Sequence, residues 1–273
     1  MKWMDAHRHL PDEDRLSIVS GMVLLSYALA SFIKLPAEAI SIQLPAFLLQ
    51  LPVSINTIVG IATAALAASG TLWLLSGHPE FTQRASIPHL LLPALTAMII
   101  GLPLSTLQAN QFWWVVFAFG GLLFVMVIAS EYIALDNQDS RHPLAAVTLT
   151  AVSWVLFLIV AISVNAAGMR FYLVLAILTP TVFLVSLRSL HFRLGGSWNY
   201  AWAAAISVII SQVALGIHYF PVSPLAYGLI LLGAAYALTS IAGSVIEHRS
   251  WRMAWVEPAI LGGMMLLLAI LFQ

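Results

Sequence analysis

The stretch Leu194–Ile246 runs without a single Asp, Glu, Lys or Arg. Across the whole chain, 61% of the residues are hydrophobic and only 8% are charged. Soluble domains carry roughly 25% charged residues. A chain with so little charge lacks the groups that keep a folded surface in water. The sequence therefore predicts a protein that lies in a membrane.

Nine apolar runs are long enough to cross a bilayer. A hydrocarbon core about 30 Å thick needs ~20 apolar residues in a helix. The runs are continuous rather than alternating, which favours helices over a β-barrel. We predict an all-α membrane protein with about nine transmembrane helices in one bundle. The predicted spans are Leu16–Ile33, Val53–Leu75, Ile87–Leu104, Phe112–Leu135, Pro143–Val164, Phe171–Leu187, Trp198–Phe220, Pro224–Ile246 and Met253–Phe272.

Basic residues are distributed unevenly between the two faces that nine spans create. One face holds only Lys34 and Arg170. Cytoplasmic loops carry an excess of Lys and Arg, so we predict a cytoplasmic N-terminus and a C-terminus outside. The basic residues on the predicted cytoplasmic face are Lys2, Arg8, Arg15, Arg84, Arg141, Arg188, Arg193, Arg249 and Arg252.

We divide the chain into a cytoplasmic tail, residues 1–15, and a single polytopic transmembrane domain, residues 16–273. Residues 34–52 form an unusual connection between the first two spans. They are too apolar for a solvated loop, and Pro36, Pro45 and Pro52 each remove a backbone donor that a spanning helix needs. We expect an outer-face interfacial or re-entrant segment; an amphipathic helix on the membrane surface is the alternative.

Composition excludes several classes of function. The 11 basic and 11 acidic residues balance, so no strongly basic surface indicates nucleic acid as a partner. The absence of cysteine rules out disulfides and thiolate metal sites. His89, His142 and His191 fall near one predicted membrane face and His218 near the other, so no pair is placed to hold a haem. We expect neither a cofactor nor a resident metal.

A repeated motif marks the predicted outer face: FPVS at residues 220–223, LPVS at 51–54 and LPLS at 102–105. Pro221 should end the seventh span, with Ser223 as the N-cap and Pro224 as the first residue of the eighth. Helix start and stop signals are one interpretation. The sharper one is an outer-face site for an anionic or polar group, formed by Ser54, Asn56, Arg170, His218, Tyr219 and Ser223.

Polar clusters at the predicted cytoplasmic face are a second group of candidates. Aspartates beside arginines can hold a magnesium-bound diphosphate. D-x-x-D at residues 136–139 is faintly similar to a motif of membrane prenyltransferases, but the second aspartate motif of that family is absent. Ordinary solvated loops, and a first-turn acid at Glu257, are the alternatives. The candidates are Glu131, Asp136, Asp139, Arg141, Arg188, His191, Arg193 and Glu257.

Seven short motifs together resemble a family of bacterial polytopic membrane proteins that is known only as a domain of unknown function. The resemblance runs from about Leu16 to the C-terminus. It implies one integral-membrane domain in a bacterial inner membrane, and it implies no activity and no catalytic residues. The motifs are QLPAF, SGTLWLL, LPALTA, SLRSLHFRLGG, HYFPVSPLAYGL, YALTS and VEP.

Three functions remain open. The first is a non-enzymatic membrane subunit or scaffold, which binds membrane lipids or another membrane protein through its outer face. Short loops and scarce buried charge favour it. The second is a carrier or flippase for a lipid-linked or neutral solute. Its discontinuous elements would be the proline-broken segment Pro36–Pro52 and the third span, interrupted by Pro88, Pro93 and Pro103. The third is an intramembrane transferase that uses the cytoplasmic Asp and Arg clusters. An enzyme is the less expected outcome.

Overall fold

The computed structural model describes residues 11–32, 38–44, 47–53, 55–79, 81, 83–107, 110–136, 138–248 and 254–272, with some side chains excepted. Two short strands and nine helices lie in these ranges. The strands are β1 (Glu38–Leu44) and β2 (Phe47–Val53). The helices are α1 (Glu13–Phe32), α2 (Ile55–Leu75), α3 (Gln83–Thr106), α4 (Gln111–Ala134), α5 (His142–Ala166), α6 (Phe171–Arg193), α7 (Tyr200–Ile217), α8 (Pro224–Ile246) and α9 (Val256–Leu271).

The prediction of about nine apolar helices is confirmed in the described part of the chain. Seven of them, α2 to α8, are long and apolar enough to cross a membrane. The first helix begins with acidic Glu13 and Asp14. The last helix has 16 residues, and its length of about 24 Å is less than the hydrocarbon thickness of a typical bilayer.

The connection between α1 and α2 contains a β-hairpin instead of the surface helix that was the alternative. Its strands are antiparallel, with Glu38 opposite Val53 and Leu44 opposite Phe47. The sequence EAISIQL alternates apolar and polar residues, which is the period of a strand. Proline at position 52 is tolerated because a strand at the edge of a sheet can lack one backbone donor.

The structure divides into two compact units, Met1–Ala145 and Ala146–Gln273, and the single domain predicted from residue 16 onward stays a prediction. In the N-terminal unit, α1 to α4 pack around a core that includes Val19, Val23 and Phe124. The Tyr27 hydroxyl donates a hydrogen bond to the Ala97 carbonyl. Because this hydroxyl would otherwise be a buried polar group without a partner, the bond ties α1 to α3.

In the C-terminal unit, small residues and hydroxyls join the helices. Gly233 of α8 lies against Gly262 and Met265 of α9. The hydroxyls of Thr179 in α6 and Ser211 in α7 are 2.7 Å apart. Close backbone approach and hydrogen bonds between hydroxyls are the means by which apolar helices associate where water cannot drive them together.

Two expectations about prolines have different outcomes. Ser223 caps α8, because its Oγ accepts a hydrogen bond from the Ala226 amide at 3.2 Å, and Pro224 is the first helical residue. The capping prediction is confirmed. The expectation that prolines interrupt the third span is wrong, since α3 runs without a break through Pro88, Pro93 and Pro103. Side chains on neighbouring helices can support such a helix where a backbone donor is lost.

Candidate functional site

A cavity of about 670 Å³ lies within the C-terminal unit. Along α8 it extends from Glu247, just past the end of the helix, to Tyr236 at the middle. The helical rise between these two residues is about 16 Å. The lining residues are Ala146, Val147, Thr150, Ala151 and Trp154 from α5, Ser189, Phe192 and Arg193 from α6, Tyr236, Thr239, Ser240 and Glu247 from α8 and its end, and Glu257 from α9.

Arg193 forms part of the wall of this cavity. Its Nε donates to Glu247 Oε1 at 2.9 Å, and its Nη2 lies 3.3 Å from Glu247 Oε2. The Nη1 atom donates to the carbonyl and hydroxyl of Ser240, and Nη2 also donates to Ser244 Oγ at 2.9 Å. The fork geometry of a guanidinium suits two-point contact with a carboxylate. Arg193 therefore fixes the last turn of α6 to the last turns of α8.

The absence of a side chain at Gly243 makes room for this contact. A Cβ at that position would lie 2.7 Å from Cδ and Nε of Arg193. Ser240, Gly243, Ser244 and Glu247 are spaced by three, one and three residues, so they share one face of the helix. The Arg193 side chain packs against that face.

The opposite wall combines two aromatic rings with a carboxylate. The Tyr236 hydroxyl donates to Glu257 Oε1 at 2.6 Å. The rings of Tyr236 and Trp154 meet edge to face, with centroids 5.7 Å apart. Trp154 is 7% exposed, and its indole Nε1 is buried without a hydrogen-bond acceptor among the described residues. A buried donor of this kind calls for an explanation, because such groups are rare in folded proteins.

Glu257 confirms one expectation and adds to it. It lies in the first turn of α9, where the helix dipole favours an anion. The bond from Tyr236 in the middle of α8 was not predicted. Glu257 thus places an acidic side chain in the first turn of α9 and also lines the cavity.

Glu131 lies elsewhere, in the N-terminal unit. It is fully buried, and its Oε2 lies 2.6 Å from Nδ1 of His89. This contact joins α4 to α3. A buried carboxylate needs a hydrogen-bonded or charged partner, so the pair has a structural role whatever else it does.

The aspartates between α4 and α5 are engaged in their own loop. Asp139 accepts hydrogen bonds from the backbone amide, Nε and Nη2 of Arg141. Its hydrogen bond raises the pKa of the Arg141 guanidinium above the ordinary value. Asp136 accepts from the Gln138 amide at 2.8 Å. Among the residues that the structure describes, no group of three or more His, Cys, Asp or Glu side chains is arranged to hold a metal ion.

The other two predicted residues of α6 contact aromatic rings. The guanidinium of Arg188 lies 4.3 Å from the centre of the Phe192 ring. The His191 ring stacks on Trp198 with centroids 3.9 Å apart. Of the eight candidates at the predicted cytoplasmic face, Arg193 and Glu257 line the cavity.

The predicted outer-face residues are only partly described. Ser54 lies outside the described residues, as does the side chain of Asn56, whose backbone is in the first turn of α2. Ser223 Oγ donates to the Phe272 carbonyl at 2.5 Å, which ties the start of α8 to the end of α9.

His218 and Tyr219 contact each other edge to face, with ring centroids 4.8 Å apart. Arg170 is exposed at the start of α6. Within the described set, no hydrogen bond links Arg170, His218 and Ser223 to one another. The outer-face site therefore stays a prediction.

Sequence reasoning missed Trp154, Tyr236 and Glu247 as site residues. Glu247 had a usable signal, namely the helical face formed by two serines, a glycine and a carboxylate opposite a basic end of another helix. Trp154 and Tyr236 had no such signal. In an apolar helix, the sequence pattern does not distinguish an aromatic residue that lines a cavity from one that faces lipid.

A family model described as "Protein of unknown function (DUF5656)" matches residues 35–272. The chain belongs to this family. The match covers both strands and the helices α2 to α9, so the cavity lies within the part that defines the family. It confirms the resemblance to a family that is known only as a domain of unknown function. No curated protein and no solved structure matches the chain.

Proposed function

We propose that the protein is a non-enzymatic integral-membrane protein whose C-terminal unit binds a lipid-like amphiphile. The observation that carries this proposal is the cavity, which combines the charged side chains of Arg193, Glu247 and Glu257 with apolar and aromatic residues of α5, α6 and α8. Its volume falls in the range of small-molecule sites, about 300–1,000 Å³. An amphiphile offers charged and apolar groups of the same two kinds.

The buried indole of Trp154 supports the same proposal. Trp154 lines the cavity, and its Nε1 is a buried donor without an acceptor among the described residues. An ester or phosphate oxygen of a ligand is an acceptor of the kind that this donor needs. A hydrocarbon alone offers no acceptor, so the ligand should carry polar atoms.

A carrier is the second candidate, because the cavity reaches half-way along two helices from one side. Transporters bind their cargo near the middle of the membrane. The continuous α3 removes one of the discontinuous elements that this function was expected to use. A transferase gains no support from Asp139, which is engaged with Arg141 of the same loop.

Several finer points rest on the sequence alone. The bacterial inner membrane follows from the family resemblance, and the cytoplasmic N-terminus follows from the distribution of basic residues. Recruitment of a partner protein through the outer face is likewise a proposal. None of these is needed for the cavity to bind a ligand.

The test compares lipid retention by two variants after purification in a mild detergent. Ala151→Trp fills the cavity, since Ala151 lines it. Val155→Trp is the matched control, because Val155 is an exposed residue of the same helix and is not a lining residue. Native mass spectrometry should find one bound lipid in the wild type and the control, and none in Ala151→Trp. Equal retention by all three proteins would refute the proposal.

A further inference from the structure

We propose that the head group bound in the cavity is a positively charged amine, held by Glu257, Tyr236 and Trp154. This inference rests on the proposed function and deepens it. It follows from the distribution of charge in the lining, from the orientation of one carboxylate and from the rings beside that carboxylate.

The lining contains three side chains that carry a full charge: Arg193, Glu247 and Glu257. Arg193 and Glu247 form an ion pair. The hydroxyls of Ser240 and Ser244 in α8 accept further hydrogen bonds from the same guanidinium. An anionic head group would have to displace Glu247 to reach Arg193. The pair therefore contributes little net charge to a ligand.

Among the described lining residues, Glu257 is the carboxylate that is not part of the Arg193–Glu247 pair. Within the part of the chain that the structure describes, no ion pair to Glu257 is formed. The Tyr236 hydroxyl donates to Oε1, which orients the carboxylate and leaves Oε2 as an acceptor. This carboxylate belongs to an exposed residue of the lining, and a cation that enters the cavity is attracted to it.

The rings next to the carboxylate suit the same ligand. Trp154 and Tyr236 form an edge-to-face corner, and both line the cavity. Ammonium groups bind over aromatic faces because the ring quadrupole is negative there. A carboxylate beside aromatic rings is therefore a complementary environment for a protonated amine. It would repel a phosphate or carboxylate head group that lacks an amine.

The amine could belong to a bilayer lipid or to a small soluble molecule. To distinguish these sources, the purified full-length protein is titrated with phosphatidylethanolamine, with phosphatidylglycerol of the same acyl chains, and with free ethanolamine. Binding is measured by native mass spectrometry. We expect phosphatidylethanolamine to bind at least tenfold more tightly than phosphatidylglycerol. If ethanolamine binds much more weakly than phosphatidylethanolamine, the site is assigned to a lipid. If ethanolamine and phosphatidylethanolamine bind with equal affinity, it is assigned to the soluble amine.

Glu257→Gln should remove the preference, leaving the two lipids within a factor of two of each other. Glu13→Gln, an exposed acid in the first turn of α1, is the control and should keep the preference. Thermal unfolding of both variants checks that they are folded. If Glu257→Gln fails to fold, Tyr236→Phe, which keeps the ring and removes the hydroxyl that orients Glu257, should lower the preference at least threefold.

Two results separate the failure of this inference from the failure of the proposed function. If both lipids bind equally to the wild type and Ala151→Trp releases both, the amine assignment is overturned and the lipid site stands. If Ala151→Trp retains lipid as the wild type does, both the site and the amine assignment fall.

Discussion

The Arg193–Glu247 pair gives the sharpest test of how the C-terminal unit is held together. Arg193→Met removes five hydrogen bonds between α6 and α8 and leaves Glu247 without its cation. The two side chains are 22% and 23% exposed. Exposed pairs are worth about 0.2–1 kcal/mol, and breaking a buried one costs about 3–5 kcal/mol. Since roughly four fifths of each side chain is buried, we expect a loss of about 2–4 kcal/mol.

The assay is reversible unfolding in mixed detergent and dodecyl sulfate micelles, followed by tryptophan fluorescence. Arg170→Met is the matched control, because Arg170 precedes the other end of the same helix and makes no capping hydrogen bond through its side chain. It should change the free energy of unfolding by less than about 0.5 kcal/mol.

A double-mutant cycle isolates the contact between the two charges. Arg193→Met and Glu247→Gln should couple by about 1–2 kcal/mol, because residues in one network are not additive. Additive effects, or a loss for Arg193→Met no larger than for Arg170→Met, would refute the assignment of this pair.

Three further predictions use the same unfolding assay unless stated. Gly243→Ala should destabilise the wild type by about 1–3 kcal/mol through overpacking against Arg193. In an Arg193→Ala background, which lacks the Cδ and Nε atoms that the new Cβ would meet, it should stabilise by about 0.5–1 kcal/mol because alanine is the better helix former; destabilisation in both backgrounds would contradict this. His89→Phe should cost about 1–3 kcal/mol by removing a partner of buried Glu131, and an unchanged midpoint would argue against that role. Ser223→Ala should cost about 1 kcal/mol and speed hydrogen exchange at the start of α8; unchanged exchange there would rule out the cap.

The helices were predictable because apolar length is a local property of the sequence. Long apolar runs with little charge marked every described helix, and the cap at Ser223 followed from a serine before a proline. The boundaries moved by a few residues: the seventh span was predicted as Trp198–Phe220, and α7 covers Tyr200–Ile217. Helix ends depend on caps and on contacts with neighbouring residues, and the mean hydropathy of a segment contains no information about either.

The hairpin was missed although its signal was present. Ile40, Ile42 and Leu44 alternate with polar residues, which is a strand pattern. The prolines in the same segment drew the interpretation toward an interfacial or re-entrant segment, with a surface helix as the alternative. Prolines exclude a regular helix, but they are compatible with an edge strand, so the alternation should have had more weight.

The cavity could not be predicted from the sequence. It depends on contacts between residues far apart along the chain, such as Arg193 with Glu247, 54 residues later. Which helices neighbour each other is not encoded in the hydropathy of any one of them. The sequence did identify Arg193 and Glu257 as polar residues at helix ends, but it separated them into different clusters.

The most direct test of the central claim asks where a bound lipid lies. Phosphatidylethanolamine with a photoactivatable group next to the glycerol is incorporated with the protein into nanodiscs, activated, and the labelled residues are identified by peptide mass spectrometry. The proposed site predicts label on Trp154, Phe192 or Tyr236, reduced by Ala151→Trp. Label confined to residues on exposed helix faces, such as Phe119 and Trp202, and unaffected by Ala151→Trp, would contradict a lipid site in the cavity.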